Sequence, residues 1–516
     1  MSTAQTPSAG PELAAAVRRG VAWSTVSTLV LRLGTFAVGI VVARLLTPAE
    51  FGAFAVALTV QAILMALADL GLSTDLIRSE DPEKIAPTVG AVGLAAGVVL
   101  AGAMALSAPL VAGAMGSPRS SPVIALLSVT LLLAGAGVVP YAALQRRFAQ
   151  RTLFIIAAID FGVSTALTLG LLAAGAGVMS LAVGRVVAQT VTLVLQYVMA
   201  GMRPHIHVER ALIRPVLSFG LPVAGANLLS WALLNIDNVV VARTLGTVAL
   251  GYYALAFNVS SWPMTAIGQV VRSVALPGFS RVTPPGGHDG PQEPEPRAGG
   301  VGVARDPVLG QAMALAWAVA LPAGALLALL AGPLIVVIYG RVWAPAAPVL
   351  VMLGLFGALR VVFDLFAAYL LARGASRQVL VVQAIWFLLL VPATILGARW
   401  YGLVGAGGAH LVVAVGAVLP LYAWFARRSG ADLRPVAAAV WPPVVAMVPA
   451  AAVGWWVSSS LERPWLALLA GGVVAGAVYL AVLGRWLRSR LAPRRAAPVG
   501  VERTAPSLDG VAHASD

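Results

Sequence analysis

The sequence predicts an all-α polytopic membrane protein: about 14 transmembrane helices in two parallel six-helix lobes plus two C-terminal helices, with both termini cytoplasmic. Three observations predict it. The 516 residues are 59% hydrophobic and only 10% charged, with mean hydropathy +0.91, whereas soluble chains are roughly a quarter charged. No soluble fold hides so much apolar side chain, so the surplus faces lipid. The basic residues sort by side, and a twenty-residue motif recurs 199 positions later.

A helix needs about 20 mainly apolar residues to cross the hydrocarbon core. Apolar blocks between charge or Pro/Gly breaks lie near 20–43, 49–71, 88–113, 122–143, 152–173, 177–200, 214–242, 248–271, 309–339, 346–372, 378–398, 402–425, 436–457 and 464–484. The block after Arg18 and Arg19 is too long for a signal-peptide core and carries Arg32, so it reads as a retained first span. Residues 1–17 read as a disordered N-terminus, 18–200 as the first lobe, 201–213 as a cytoplasmic interlobe loop and 214–425 as the second lobe. Spans 13 and 14 occupy 436–484. The Pro/Gly-rich stretch 281–307 reads as a disordered cytoplasmic loop, and 485–516 as a basic disordered tail.

Counting basic residues on alternate sides gives the orientation. With the N-terminus inside, 25 of the 34 Lys and Arg fall on the inner side, 6 on the outer side, and three (Arg32, Arg185, Arg360) within spans. The net charge of +14 is therefore mostly topology and not a nucleic-acid footprint. The Arg-, Ala- and Gly-rich composition points to a GC-rich bacterial genome and a multi-pass protein of the cytoplasmic membrane.

Residues 41–60 (VVARLLTPAEFGAFAVALTV) align without a gap on 240–259 (VVARTLGTVALGYYALAFNV), with nine of twenty identities that include Gly52 with Gly251. Six spans separate the copies, so both run in the same direction, a layout of transporters with a substrate path between halves. Within the motif, Thr47 and Glu50 form a capping box with Pro48 at the first helical position. Arg44 and its mate Arg243 end their helices, where they cap carbonyls and meet lipid phosphate.

Several chemistries are absent. There is no cysteine, no G-x-x-x-x-G-K-[ST] and no H-E-x-x-H. His205 and His207, two apart in a short loop, have poor metal geometry. Outer loops of about ten residues or fewer leave no room for the catalytic acids of a lipid-linked glycosyl transferase. The chain reads as a transporter and not an enzyme, without a bound cofactor or metal.

Ionisable groups inside the membrane are costly and face a cavity or a partner. Arg360 and Asp364, four apart, pair structurally on one helix face or line a site. Asp237, flanked by Asn235 and Asn238, binds a cation or sugar hydroxyls, or joins the lobes by a hydrogen bond. Asp69 and Asp160 sit towards cytoplasmic ends, where snorkelling or pairing with Arg78 or Arg151 explains them equally. Arg32 has no acid three or four residues away, and the repeat sets Trp231 opposite it, so the central cavity is its expected place. Arg185 is a second cavity candidate, and His410 one for proton coupling.

The motifs VARLLTPAEFG (42–52), DLGLSTDLIR (69–78), PYAALQRRF (140–148), FGLPVAGANLLSWALLNIDNVVVAR (219–243), LGYYALAF (250–257), RSVALPGFSR (272–281) and WAPAAPVL (343–350) carry a resemblance over residues 18–425. They resemble bacterial oligosaccharide flippases, of the O-antigen and capsular repeat-unit type, in the multidrug/oligosaccharidyl-lipid/polysaccharide exporter superfamily. The 281–307 stretch departs from the family by its length and Pro/Gly content. The resemblance implies alternating access and a polyprenyl-diphosphate-linked oligosaccharide cargo moved from the inner to the outer leaflet. It also implies H⁺ or Na⁺ as coupling ion, and a polysaccharide polymerase and assembly proteins as partners. Guanidinium groups bind diphosphate oxygens in pairs, so Arg32, Arg185, Arg360 and Arg272 become the expected head-group contacts. Asn227, Asn235, Asn258 and Gln269 are the expected glycan contacts, and Asp237, Asp364, Asp69 and Asp160 the coupling candidates. Rival readings are a cation-coupled drug or metabolite exporter, disfavoured by Arg32 and Arg185, a lipid II flippase, and a glycosyl-transfer or scaffold component.

Overall fold

The computed structural model of the protein describes residues 31–68, 71–79, 81–205, 207–282 and 308–491. The expectations for residues 1–17 and the core of the 281–307 loop lie outside them, as does the tail beyond 491. The described chain is all-helical. Helix α1 covers 31–45, followed by α2 (Pro48–Ala68), α3 (Leu72–Arg78), α4 (Pro82–Ala114), α5 (Ser121–Leu127), α6 (Val129–Arg146), α7 (Gln150–Ala173) and α8 (Met179–Ala200). The second half holds α9 (Arg210–Leu245), α10 (Thr247–Val282), α11 (Val308–Leu329), α12 (Ala331–Ile338), α13 (Ala347–Ala372), α14 (Ser376–Val413) and α15 (Leu419–Arg428). Helices α16 (Leu433–Ser459) and α17 (Pro464–Leu491) follow. Among the described residues, ten helical stretches are long and apolar enough to cross a membrane.

Local chemistry explains where helices start and break. The capping box forms as expected: Glu50 Oε2 accepts from the Thr47 amide at 2.9 Å and from its hydroxyl at 2.8 Å. The single expected span 309–339 is divided at Leu330 into α11 and α12. Pro333 has no N–H to give the carbonyl four residues back, so α11 cannot run through. The expected span 122–143 is likewise interrupted at Ser128, where the Ser128 and Thr130 hydroxyls return to the carbonyls of Ala125 and Leu127. A π-helical turn at Ala414–Val418 precedes Pro420, which also lacks a donor. Within α14, Gly402 takes φ +60°, and the backbones of Gly397 and Gly405 lie so close that a Cβ on either would collide with the other's carbonyl oxygen. The chain therefore reverses at Gly402, and α14 is two antiparallel helices meeting at the break read from the sequence.

The two copies of the repeat touch. A Cβ on Gly52 would lie 1.9 Å from the Thr247 carbonyl oxygen, and one on Gly251 would lie 2.1 Å from that of Pro48. Pro48 and Thr247 are themselves 199 apart, so α2 and α10 cross in a contact that is the same from both sides, the signature of a two-fold relation. Helices α16 and α17 pack on each other and on α11, where the Tyr479 hydroxyl donates to the Ala318 carbonyl at 2.8 Å. Exposed Trp400, Tyr401, Trp455, Trp456 and Trp465 gather near the Gly402 and 460–463 turns, both assigned outward by the basic-residue count, as an interfacial aromatic belt requires.

Candidate functional site

Three places bring functional side chains together. The first lies inside the second half. Asp237 on α9 is 2% exposed and His410 on α14 is 4% exposed. The Tyr253 hydroxyl, from α10, donates to Asp237 Oδ2 at 2.7 Å. His410 Nε2 lies 3.0 Å from the Tyr253 oxygen and 3.4 Å from Asp237 Oδ2. Since the tyrosine's one proton is committed to the carboxylate, Nε2 is the ring nitrogen that carries a hydrogen and donates. Nδ1 is then a bare acceptor, buried and without a hydrogen-bond partner among the described residues. Asp237 Oδ1 accepts from the Asn238 amide at 2.9 Å. Asp237 and His410 border a cavity of about 220 Å³ with Arg360 and Asp364 of α13, Gln383 and Trp386 of α14, and Tyr422 of α15. A carboxylate, a phenol and an imidazole from three helices thus meet in one buried cluster.

The second place lies in the first half. Arg185, Gln189, Thr192 and Gln196 fall on one stripe of α8 at helical spacing. Gln189, Thr192 and Gln196 line a pocket of about 280 Å³ with Ser73 and Tyr141, while Arg185 is exposed beyond it. Asp160 on α7 accepts from the Thr192 hydroxyl at 2.9 Å, a partner different from the arginines considered in the sequence.

The third place joins α1 to the stretch around α12 and Trp343. Arg44 Nε and Nη2 donate to the carbonyls of Ile338 and Val337 at 2.7 and 2.6 Å. The expected carbonyl cap is thus real, but the carbonyls belong to α12 in the other half. Trp343 Nε1 donates to the Ala43 carbonyl at 2.8 Å, and the indole, 1% exposed, meets Phe51 and Tyr252 edge-on. Neither Trp343 nor Tyr253 stands out as functional in the sequence, because neither shows its role until α1, α10 and α12 are packed.

Along the seam between α1 and α10, Phe36 stacks on Trp262 at 4.9 Å. Arg32 is one turn from Phe36 and half-buried, and Asn258 is one turn from Trp262 and exposed. Asn227, Trp231 and Asn235 follow one another at helical spacing on α9, and Asn235 is tied to the Trp231 carbonyl at 2.9 Å. The expected head-group arginines thus divide: Arg32 borders the α1–α10 seam, Arg185 stands on α8, and Arg360 joins Asp364 and Asp237 around the second-half cavity. Asp69 lies outside the described residues, as do the side chains of Gln269 and Arg272. Among the described residues no group of three His, Asp or Glu is arranged to hold a metal ion.

The chain is similar to several known proteins. Residues 41–285 match the family model described as "Polysaccharide biosynthesis protein". The chain is 27% identical to the succinoglycan biosynthesis transport protein ExoT of Rhizobium meliloti (strain 1021), over 94% of this chain and 98% of that protein. It is 22% identical to the lipopolysaccharide biosynthesis protein WzxC of Escherichia coli (strain K12), over 84% and 86%. It is 24% identical to the teichuronic acid biosynthesis protein TuaB of Bacillus subtilis (strain 168), over 71% and 73%. In fold it is similar to the lipid II flippase MurJ in an inward closed conformation, with TM-score 0.72 and 14% identity over 90% of this chain and 99% of that one. It is also similar to an inward-facing multidrug resistance MATE family transporter, with TM-score 0.58 and 15% identity over 77% and 94%.

Proposed function

We infer that this chain, which belongs to the bacterial polysaccharide flippase family of the multidrug/oligosaccharidyl-lipid/polysaccharide exporter superfamily, moves lipid-linked oligosaccharide repeat units across the cytoplasmic membrane for cell-surface polysaccharide synthesis. The observation that carries this reading is the end-to-end similarity to the succinoglycan biosynthesis transport protein. We read the molecule as fourteen spans: the ten stretches above, a second span from the reversal at Gly402, and α1, α9 and α10. They form two six-span lobes about the Gly52–Gly251 crossing, with α16 and α17 added and both termini cytoplasmic.

The cargo is an oligosaccharide on a polyprenyl diphosphate. Its head group enters between the lobes and meets Arg32 at the α1–α10 seam, with the glycan against Asn227, Asn235 and Asn258. Two guanidinium N–H groups match two diphosphate oxygens, while the prenyl tail stays in lipid beside the seam. Outward release requires the seal of Arg44, Trp343 and the glycine crossing to open, a rocking of one lobe against the other.

Coupling fits the second lobe. A proton added at His410 Nδ1 makes an imidazolium 3.4 Å from the Asp237 carboxylate, drawing α14 and α9 together through a charge-assisted contact. The charged and titratable groups around it are Tyr253, in direct contact, and Asp237, Arg360, Asp364 and Tyr422, which share its cavity. We therefore favour H⁺ over Na⁺ as the coupling ion.

The test is leaflet exchange of a labelled polyprenyl-diphosphate oligosaccharide in proteoliposomes, wild type against Arg32→Glu. Exchange that the folded variant loses supports the reading. Absence of exchange in wild type across a panel of glycans, with or without an ion gradient, overturns it.

A further inference from the structure

We propose that a groove in the first half, between α4 and α8 and floored by α6, is a binding site for an anionic phospholipid of the cytoplasmic leaflet. The groove encloses about 1140 Å³, more than the roughly 300–1,000 Å³ that drug-sized ligands fill. Its body is apolar, lined by Gly90, Leu94, Ala136, Val139, Leu193 and Val194. Its mouth carries Arg146, Arg147, Arg203 and His205 against one acid, Glu83. Apolar depth under a cationic rim is the chemistry of a lipid with a negatively charged head.

The dimensions point the same way. From Arg146 at the rim to Ala136 at the far end is ten residues of α6, about 15 Å at 1.5 Å per residue, one leaflet of a hydrocarbon core about 30 Å thick. The rim arginines are already held in place. Arg146 Nη1 donates to the Ser79 carbonyl beyond the end of α3, and Arg147 Nη1 donates to the Ala200 carbonyl at 2.8 Å at the end of α8. Each guanidinium has five donors, so both keep N–H groups for a phosphate. Beside them Phe148 stands 84% exposed on a left-handed backbone, φ +51°. An aromatic ring presented at that strain beside a ring of cations suits the head-group boundary and not water.

Two other occupants fit less well. The basic tail, with five arginines between 485 and 495, meets a rim of its own sign. The transported lipid belongs between the halves, whereas the groove uses the α6 face of Ala136, Val139 and Ala143, opposite the face of Ala134, Gly137 and Tyr141 that lines the interior pocket with α2. The bound phospholipid would wedge α4 and α8 at their cytoplasmic ends and hold the 201–205 connection that leads to the second half.

The experiment is native mass spectrometry of the delipidated full-length protein, titrated with phosphatidylglycerol or phosphatidylcholine of the same acyl chains. Expected is about tenfold tighter binding of phosphatidylglycerol. Arg203→Glu should erase that preference and leave phosphatidylcholine binding unchanged. Val194→Trp, which fills the groove, should weaken both lipids. Val198→Glu, at a position already 68% exposed and so tolerant of the change, should repel phosphatidylglycerol alone and serves if the tryptophan variant misfolds. Equal affinity for the two lipids overturns the proposal, as does unchanged phosphatidylglycerol binding in folded Arg203→Glu. So does stoichiometric displacement of phosphatidylglycerol by a polyprenyl-diphosphate oligosaccharide, which would make the groove a cargo site. None of these readouts depends on transport, so the test stands apart from the flip assay.

Discussion

Where the second half of the chain carries Asp237 and Tyr253, the offset of 199 puts Val38 and Phe54 in the first half. The backbone relation is kept, since Gly52 and Gly251 meet across a two-fold contact, but the buried chemistry is not. The first half lines its pocket with Ser73, Tyr141, Gln189, Thr192 and Gln196 among apolar side chains, and Asp160 beside it accepts from Thr192. The second half gathers Asp237, Tyr253 and His410 from three helices and sets Arg360 and Asp364 beside them. In the coupling we propose, the carboxylate–imidazole pair changes state with one proton, whereas the neutral polar pocket does not change charge. On that reading the duplicated scaffold carries an ionisable switch once.

The largest break in that comparison should come from Asp237→Asn and His410→Gln. Hydrogen bonds to a buried charged group contribute about 1.5–3 kcal/mol, so gradient-driven exchange in proteoliposomes should fall about 10- to 100-fold. The counterpart Asp160→Asn, whose amide oxygen still accepts from Thr192, should change it by less than about threefold. Similar losses in the two halves would mean that both are switches.

The glycine pair tests what the halves share. Gly52→Ala and Gly251→Ala each place a methyl group within 1.9 or 2.1 Å of a carbonyl oxygen, and overpacking of this kind costs about 1–3 kcal/mol. Symmetry requires similar penalties. The chain has no cysteine, so Ala43→Cys, 1% exposed beneath Trp343, reports the outer seal through labelling by a membrane-impermeant maleimide. Both alanine variants should raise labelling to a similar extent, and a one-sided response would refute the two-fold contact.

Arg44 and Arg243 occupy equivalent repeat positions, yet only Arg44 is seen bridging to carbonyls of the other half among the described residues. Hydrogen bonds to a charged group contribute about 1.5–3 kcal/mol, so Arg44→Ala should increase labelling at the same cysteine about tenfold. Arg243→Ala should change it less than about twofold.

These asymmetries mark how far the sequence could be read. The capping box at Thr47–Glu50 was legible because its partners are three residues apart, and the break between 398 and 402 because Arg399 interrupts the apolar run. The repeat made Gly52 and Gly251 equivalent, but whether equivalent residues touch depends on how two helices cross. His410 and Tyr253 are 157 residues apart, and Arg44 and Ile338 are 294 apart. Nothing in local periodicity selects such partners. Asp237 was singled out by cost alone, since a carboxylate in a span must be answered, while its answer was written on two distant helices.

The smallest expected effect is also the sharpest on the meaning of the first-half pocket. Thr192→Val keeps the shape of the side chain and removes the hydroxyl that donates at 2.9 Å to Asp160 Oδ1. A single hydrogen bond of this kind contributes about 1 kcal/mol, so the variant should melt a little earlier in detergent. Asp160→Asn in the same chain should restore part of the loss, because it removes the charge left without its donor. The dependence of exchange on the imposed proton gradient should not move if Thr192 and Asp160 stand for structure and not for coupling. A shift in that dependence would show that the first half also changes charge during transport, and that the contrast with Asp237 and His410 is one of degree.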